Sequence, residues 1–335
     1  MTTYLQSLNQ ALGKLLEQDE HVFIIGEDIV DPYGGAFKVT KGLSLSFPER
    51  VLPTPISEAA IVGLATGMAM RGLRPVVEIM FGDFITLAAD QIINHAAKFH
   101  DMYSGKVDVP LVIRTPMGGG RGYGPTHSQS LEKIFLGIPG LKVVAPSHFH
   151  DPGVILQEAV LNDSNPVLFI EHKGLYPKEL ILDNNYPLHL SIAAAGSGYP
   201  TVIVKNFDHK QHKPDVALIT YGGMSPAIEE IMKTMYQEEV WVVSVLPSLL
   251  SEPPAKVIAQ AIETCDEVIV IEEGAGRFGW SAEIAAMFNE HLGSKCPRLT
   301  RIMSKPTVIP AARQLEATVL PSIEHIEKTI WEVLN

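Results

Sequence analysis

Apolar residues recur at three- and four-residue spacing at Tyr4, Leu5, Leu8, Leu12, Leu15 and Leu16, so the chain opens with an amphipathic helix over 4–16. The period then changes. Val22 to Ile25 is a short unbroken apolar run closed by Gly26, the pattern of a strand covered on both faces. The two patterns go on alternating. Helices are predicted over 58–71, 84–102, 128–135 and 151–161, and strands over 74–79, 109–114, 141–144 and 167–170. Such alternation predicts a mostly parallel sheet with helices on both faces.

Between 181 and 214 the rhythm breaks. Asn184-Asn185, Gly196-Ser-Gly-Tyr-Pro200 and Asp208-His-Lys-Gln-His-Lys-Pro214 are turn chemistry, with Thr201 to Val204 a short hairpin strand. Alternation resumes with strands over 215–220, 240–246 and 267–271. Helices follow Gly222-Gly-Met-Ser-Pro and cover 281–292 and 322–334. The expected fold class is α/β with two α/β domains: a first domain over 1–185, a linker over 186–214 and a second domain over 215–335. No repeat or low-complexity segment interrupts them.

Composition adds an expectation about partners. Hydrophobic residues make up 46% and charged residues 19%, and mean hydropathy is +0.14. No apolar run is long enough to span a bilayer, so the surplus predicts parallel sheets or a large subunit interface. A net charge of −12 without a basic stripe argues against a nucleic-acid partner. Cys265 and Cys296 form neither a disulfide framework nor a metal spacing. The first residues have no basic or apolar leader pattern, and the cytoplasm is the expected compartment.

The densest candidate chemistry is Gly118-Gly-Gly-Arg-Gly-Tyr-Gly-Pro-Thr-His127, with five glycines in seven residues. Ordering such a loop costs conformational entropy, and chains carry it where backbone must approach a ligand closely. An imidazole at its end can exchange a proton near neutral pH, although a lone histidine is as often a satisfied loop residue. Glu58 follows Ser57, a good N-cap residue, and opens a helix; the helix dipole alone would explain a carboxylate there. Gly63 and Gly67 in that helix cost roughly 1 kcal/mol each against Ala. Its bare face therefore predicts another backbone or a ligand packed closely. Phe81 and Phe84 are core aromatics, or one of them stacks on a flat ring. The turn from Leu161 to Pro166 is an Asx turn or a set of oxygen ligands for a monovalent cation. His148 and His150 form an H-x-H pair with no third ligand, which reads as surface or helix-entry chemistry. Gly274, Gly276 and Gly279 make a GxGxxG without an acidic ribose ligand, better read as a turn and helix entry.

Taken in order, several segments carry a resemblance: Gly26-Glu-Asp28, Pro55-Ile-Ser-Glu58, Gly63-Leu-Ala-Thr-Gly-Met-Ala, Arg74-Pro-Val-Val-Glu-Ile79 and Asp90-Gln-Ile-Ile-Asn94-His-Ala-Ala-Lys98. Arg114-Thr-Pro-Met-Gly-Gly-Gly120, Thr126-His127-Ser-Gln-Ser130 and Pro139-Gly-Leu-Lys-Val-Val144 continue it. The chain resembles the β subunit of thiamine-diphosphate-dependent 2-oxoacid dehydrogenases, the E1 components for pyruvate, branched-chain 2-oxo acids and acetoin. The resemblance implies a pyrimidine-binding domain followed by a transketolase C-terminal-type domain. It implies that Glu58 hydrogen-bonds N1′ of the cofactor's aminopyrimidine, that Ile56 and Phe84 pack on the cofactor, and that His127 is an active-site histidine. It also implies that Val112, Val160, Leu161, Asp163 and Asn165 hold a potassium ion.

In this family Mg²⁺ and the diphosphate are held on a Gly-Asp-Gly motif. Here the nearest match is Gly82-Asp83-Phe84. The resemblance thus implies that an α-type subunit holds the Mg²⁺ and completes the site in an α2β2 heterotetramer. The departures lie in the second half, at 243–254 and 306–313, where relatives dock a lipoyl-bearing E2. The leading expectation is decarboxylation of a small-molecule 2-oxo acid with acyl transfer to a lipoyl group. The competing ones are a two-chain transketolase or carboligase with an aldehyde acceptor, a non-catalytic partner of an α chain, and a nucleotide module using the 274–279 glycines.

Overall fold

The computed structural model describes residues 2–193, 198–208 and 211–335. The expected turns at Gly196-Ser197 and His209-Lys210 lie outside the described residues. The first sheet has six strands: β1 (Val22–Gly26), β2 (Val51–Pro53), β3 (Arg74–Glu78), β4 (Val112–Met117), β5 (Lys142–Val144) and β6 (Val167–His172). They lie in the order β2-β1-β3-β4-β6-β5, every pair parallel. All six residues of β4 are buried, including Arg114, whose guanidinium is paired with the buried Glu78 and Glu171 carboxylates.

The second sheet contains β7 (His189–Ala193), β8 (Thr201–Lys205), β9 (Val216–Ile219), β10 (Val242–Pro247), β11 (Glu267–Ala275) and β12 (Arg298–Ser304), in the order β12-β11-β9-β10-β8-β7. Its centre is parallel, but β8 runs antiparallel to both β10 and β7. Within the stretch expected as a linker, 186–214, the chain therefore builds two strands, the antiparallel edge of the second sheet. The alternation Val202, Val204 in and Ile203, Lys205 half-out supplies that edge with a buried face.

The two sheets share a core. Val143 and Ala145 belong to the same buried cluster as Val243, Val245 and Leu250. After β10 the chain hydrogen-bonds to the free edge of β5: Ala145 N donates to Ser248 O at 2.8 Å and Leu250 N to Val143 O at 2.8 Å. An edge that would otherwise offer unpaired backbone groups is thus covered by the second domain.

Most predicted helices form, with bounds shifted by a residue or two: Tyr4–Gln18, Glu58–Met70, Pro152–Leu161, Ser225–Gln237, Trp280–Leu292 and Ile323–Leu334. Two do not form as expected. The stretch 84–102 is helical but changes pitch, running as a 3-10 turn over Gly82–Ala88, a π segment over Gln91–Ala96 and an α turn over Ala97–Met102. Over 128–135 only a short 3-10 turn at Glu132–Ile134 forms. There the side chains are held by distant partners instead: Gln129 by Asp83, Ser130 by Glu273 and Glu132 by Tyr221. Tertiary bonds outweigh a helical propensity worth tenths of a kcal/mol per residue.

Candidate active site

In a parallel sheet every strand ends at the same edge, and ligands bind outside the carboxyl ends. Four neighbouring strands deliver polar groups to that edge. Glu27 follows β1, Glu58 follows β2, Asp83 and Phe84 follow β3, and the glycine loop with His127 follows β4.

Glu58 is the first residue of its helix and only 6% exposed. Its carboxylate has no hydrogen-bond or ion-pair partner among the described residues. Ser57 occupies the N-cap position, but its side chain makes no capping bond, so the capping role expected of it is not filled. Its backbone N–H instead serves the Glu27 carboxylate. Burial, and then the Glu58 charge, push the Glu27 carboxyl above its usual range, and Glu27 Oε1 has no partner. Two adjacent buried carboxylates without a cation form a site that calls for a donor from outside the chain.

His127 lies between two phenyl rings. Phe81 meets it edge-on at 4.7 Å between ring centres and Phe84 at 5.1 Å. Thr126 Oγ1 lies 3.1 Å from its Nδ1, which leaves Nε2 facing no side-chain partner. From below, the fully buried Lys173 donates to the His127 carbonyl at 2.8 Å, with its ammonium 5.5 Å from the Phe81 ring centre. Burial lowers the Lys173 amine to about 8, against the opposing pull of Asp83 and Glu273. Asp83 accepts from Gln129 Nε2 at 2.8 Å, and its Oδ2 is buried without a partner.

The glycine loop is held by carboxylates of the second domain. Gly119 N donates to Glu273 Oε1 and Gly122 N to Glu316 Oε2, each at 2.7 Å. Gly118, Gly120, Gly122 and Gly124 all have positive φ, and a Cβ on Gly118 would fall 1.9 Å from His172 Nε2. At the one close approach and in the left-handed backbone, only glycine serves. His172 Nε2 lies 2.8 Å from Glu273 Oε2, while its Nδ1 accepts from Gly174 N. Burial raises the Glu273 carboxyl, but His172 and the Gly119 and Ser130 donors outweigh it and hold the group down at about 2. The sequence signal for Glu273 was a buried strand ending in Glu272-Glu273. Both glutamates sit in the stretch read as a glycine-rich turn, and the partners of Glu273 are more than 100 residues away.

The sequence matches the family described as transketolase, pyrimidine binding domain, over residues 1–179, and transketolase, C-terminal domain, over 206–326. A similar chain is the acetoin:2,6-dichlorophenolindophenol oxidoreductase subunit beta of Cupriavidus necator, 33% identical, covering 96% of this chain and 94% of that one. The chain belongs to the transketolase-like E1 β family. The pyruvate dehydrogenase E1 component subunit beta of Leifsonia xyli subsp. xyli is 36% identical, covering 97% of this chain and 92% of its own. Among solved structures, a split-gene transketolase, described as an inactive beta4 tetramer, superposes with a TM-score of 0.73 at 15% identity over 99% of this chain and 98% of its own. That likeness concerns the fold.

Other expected residues of this E1 β-family chain fall elsewhere. Ile56 is 84% exposed beside Glu58, and Gly63, Leu64 and Gly67 are exposed on the following helix. A Cβ on Gly67 would meet nothing within 4 Å, so no contact inside this chain accounts for the bare face. The His148/His150 pair enters a helix but is not at the surface. Both rings are buried; His148 meets Ser225 Oγ at 2.7 Å and Glu229 Oε2 at 3.1 Å, and burial lowers His150 to about 4. No group of three or more His, Cys, Asp or Glu that could hold a metal occurs among the described residues. Gly279 serves as the N-cap before the 280–292 helix. Cys265 and Cys296 are free. At the turn read as a potassium site, Asp163 and the Val160 carbonyl both already face cationic side chains.

Proposed function

We propose that this chain is the β subunit of a two-component thiamine-diphosphate-dependent 2-oxoacid dehydrogenase, working with an α-type subunit to decarboxylate a 2-oxo acid and pass the acyl group to a lipoyl group. The observation that carries the reading is the unpartnered, buried Glu58 carboxylate at the carboxyl edge of the parallel sheet. Family membership narrows what it would meet. When bound, thiamine diphosphate supplies the electron sink for the decarboxylation.

The chain's own residues fit that group. Glu58 would accept a hydrogen bond from a ring nitrogen and hold its proton, while burial and the Glu58 charge shift the neighbouring Glu27 carboxyl upward. Phe84 and the exposed Ile56 would pack on the ring. His127, fixed by Phe81, Phe84 and Lys173, would orient the substrate and move a proton at Nε2. Glu273 and Glu316 hold the glycine loop that carries it.

The partner follows from what is incomplete. Asp83 is buried and engaged with Gln129, so Mg²⁺ and the diphosphate would be held mainly by the α chain. The bare face of the 58–70 helix is the surface offered to that chain, in an α2β2 assembly. A lipoyl-bearing E2 would dock on the second domain. The test is calorimetric titration of thiamine diphosphate with Mg²⁺ into this chain, alone and mixed with its α-type partner. Binding to the mixture only is expected, followed by 2-oxo acid turnover. Tight binding to this chain alone would overturn the shared site, and binding to neither would favour a non-catalytic partner.

A further inference from the structure

The turn that closes the 152–161 helix and leads into β6 was expected to hold a potassium ion on Val112, Val160, Leu161, Asp163 and Asn165. The donor set found there does not fit one. Asp163 is buried, and each of its oxygens is already engaged: Oδ1 accepts from Lys142 Nζ and Oδ2 from the Tyr199 hydroxyl. The Val160 carbonyl accepts from Arg74 Nη1 at 2.6 Å. Val112 lies in mid-sheet, in register with Val76 and Val167. The strongest oxygens of the set thus face one ammonium and one guanidinium, and a further monocation placed between them would be repelled.

We infer that the Lys142 ammonium is a tethered cation that takes the place of a free monovalent ion at this turn. The ammonium carries the same charge as K⁺ and sits against the Asp163 carboxylate. Being held on β5, it needs no ion from solution, and its effective concentration at Asp163 is fixed by the fold. It also lies 5.4 Å from the Tyr199 ring centre, so the same charge meets an aromatic face. Burial and the Asp163 charge hold the Tyr199 hydroxyl well above its ordinary range, so it stays a donor to that carboxylate. Tyr199 lies two residues before β8, so the Lys142–Asp163–Tyr199 cluster joins a helix end of the first domain to the edge hairpin of the second. A cleft of about 320 Å³ lined by Lys142 and Asn165 opens beside it, giving solvent ions a route to the turn if the lysine is removed.

The test is the thermal unfolding midpoint of the full chain in KCl and in choline chloride at matched ionic strength. The native chain is expected to unfold at the same temperature in both. Lys142→Met keeps most of the aliphatic stem and removes the charge. It is expected to lose several degrees in choline chloride and to recover at least half of that loss in KCl, saturably. Lys142→Met combined with Asp163→Asn is expected to show no such recovery. A Lys142→Met chain that folds only in KCl would support the inference, and one that folds in neither salt would overturn it. A saturable gain in KCl by the native chain, or equal stability of native and Lys142→Met chains in choline chloride, would also overturn it.

Discussion

At the residue scale, the proposed chemistry rests on carboxylates whose surroundings differ. Glu273 is buried yet amply supplied with donors, and is held ionised. Glu58 is buried with none. A group left in that state costs stability, so it persists where a ligand supplies the missing partner. Glu58→Gln should therefore leave the chain's unfolding midpoint unchanged or slightly raised. The same change should lower decarboxylation by the reconstituted enzyme by roughly 10²- to 10⁴-fold, the usual worth of a positioned proton-handling group. Turnover within tenfold of the native enzyme, measured by 2-oxo acid consumption with the α-type partner, would reduce Glu58 to a helix-end charge. Glu58 could be singled out in the sequence because it opens a predicted helix with a bare glycine face, and His127 because it ends a glycine-rich loop after a predicted strand. Lys173 and Glu316 could not. Their roles come from contacts across 46 and 194 residues of chain, and nothing in their local sequence signals them.

At the element scale, the 58–70 helix is the informative case. Its two exposed glycines lower its own stability, and Gly67 touches nothing inside the chain. Gly67→Leu should stabilise the isolated chain by up to roughly 1 kcal/mol, because leucine is the better helix former and the space is open. If the α-type chain packs there, the same substitution should weaken assembly at least tenfold, read by analytical ultracentrifugation of the mixture. Unimpaired assembly would move the interface elsewhere. Helices with a clean apolar stripe, such as Tyr4–Gln18 and Ile323–Leu334, formed where periodicity predicted them. The 84–102 stretch is helical but changes pitch, and 128–135 stays mostly irregular where Gln129, Ser130 and Glu132 are bonded to partners in other elements.

At the scale of the whole molecule, the domains meet over buried acid groups. Glu132 of the first domain is bonded by the Tyr221 hydroxyl of the second and lies near Glu272 and Glu273. Burial, with those two charges adding to it, raises the Glu132 carboxyl from 4.5 to about 7. The folded chain therefore holds a proton there that the unfolded chain releases. The resulting stability is full below 4.5 and is lost as pH rises through about 7. Glu132→Gln has no proton to lose. The stability difference, native minus variant, should fall steadily across that window in urea unfolding. A difference independent of pH would mean that Glu132 is ionised throughout.

The sequence alone determined the α/β class, the order of most strands and helices, and the two residues, helix-opening Glu58 and loop-borne His127, around which a site could be sought. These follow from local periodicity and from glycine, which act within a few residues of chain. Only the tertiary structure decided that β7 and β8 extend the second sheet, that Glu273 and Glu316 hold the glycine loop, and that Lys142 pairs with Asp163. Each of these is a pairing between groups distant in sequence. Whether a buried carboxylate meets a lysine, a histidine or nothing is set by how the sheets stack, and no local pattern encodes that.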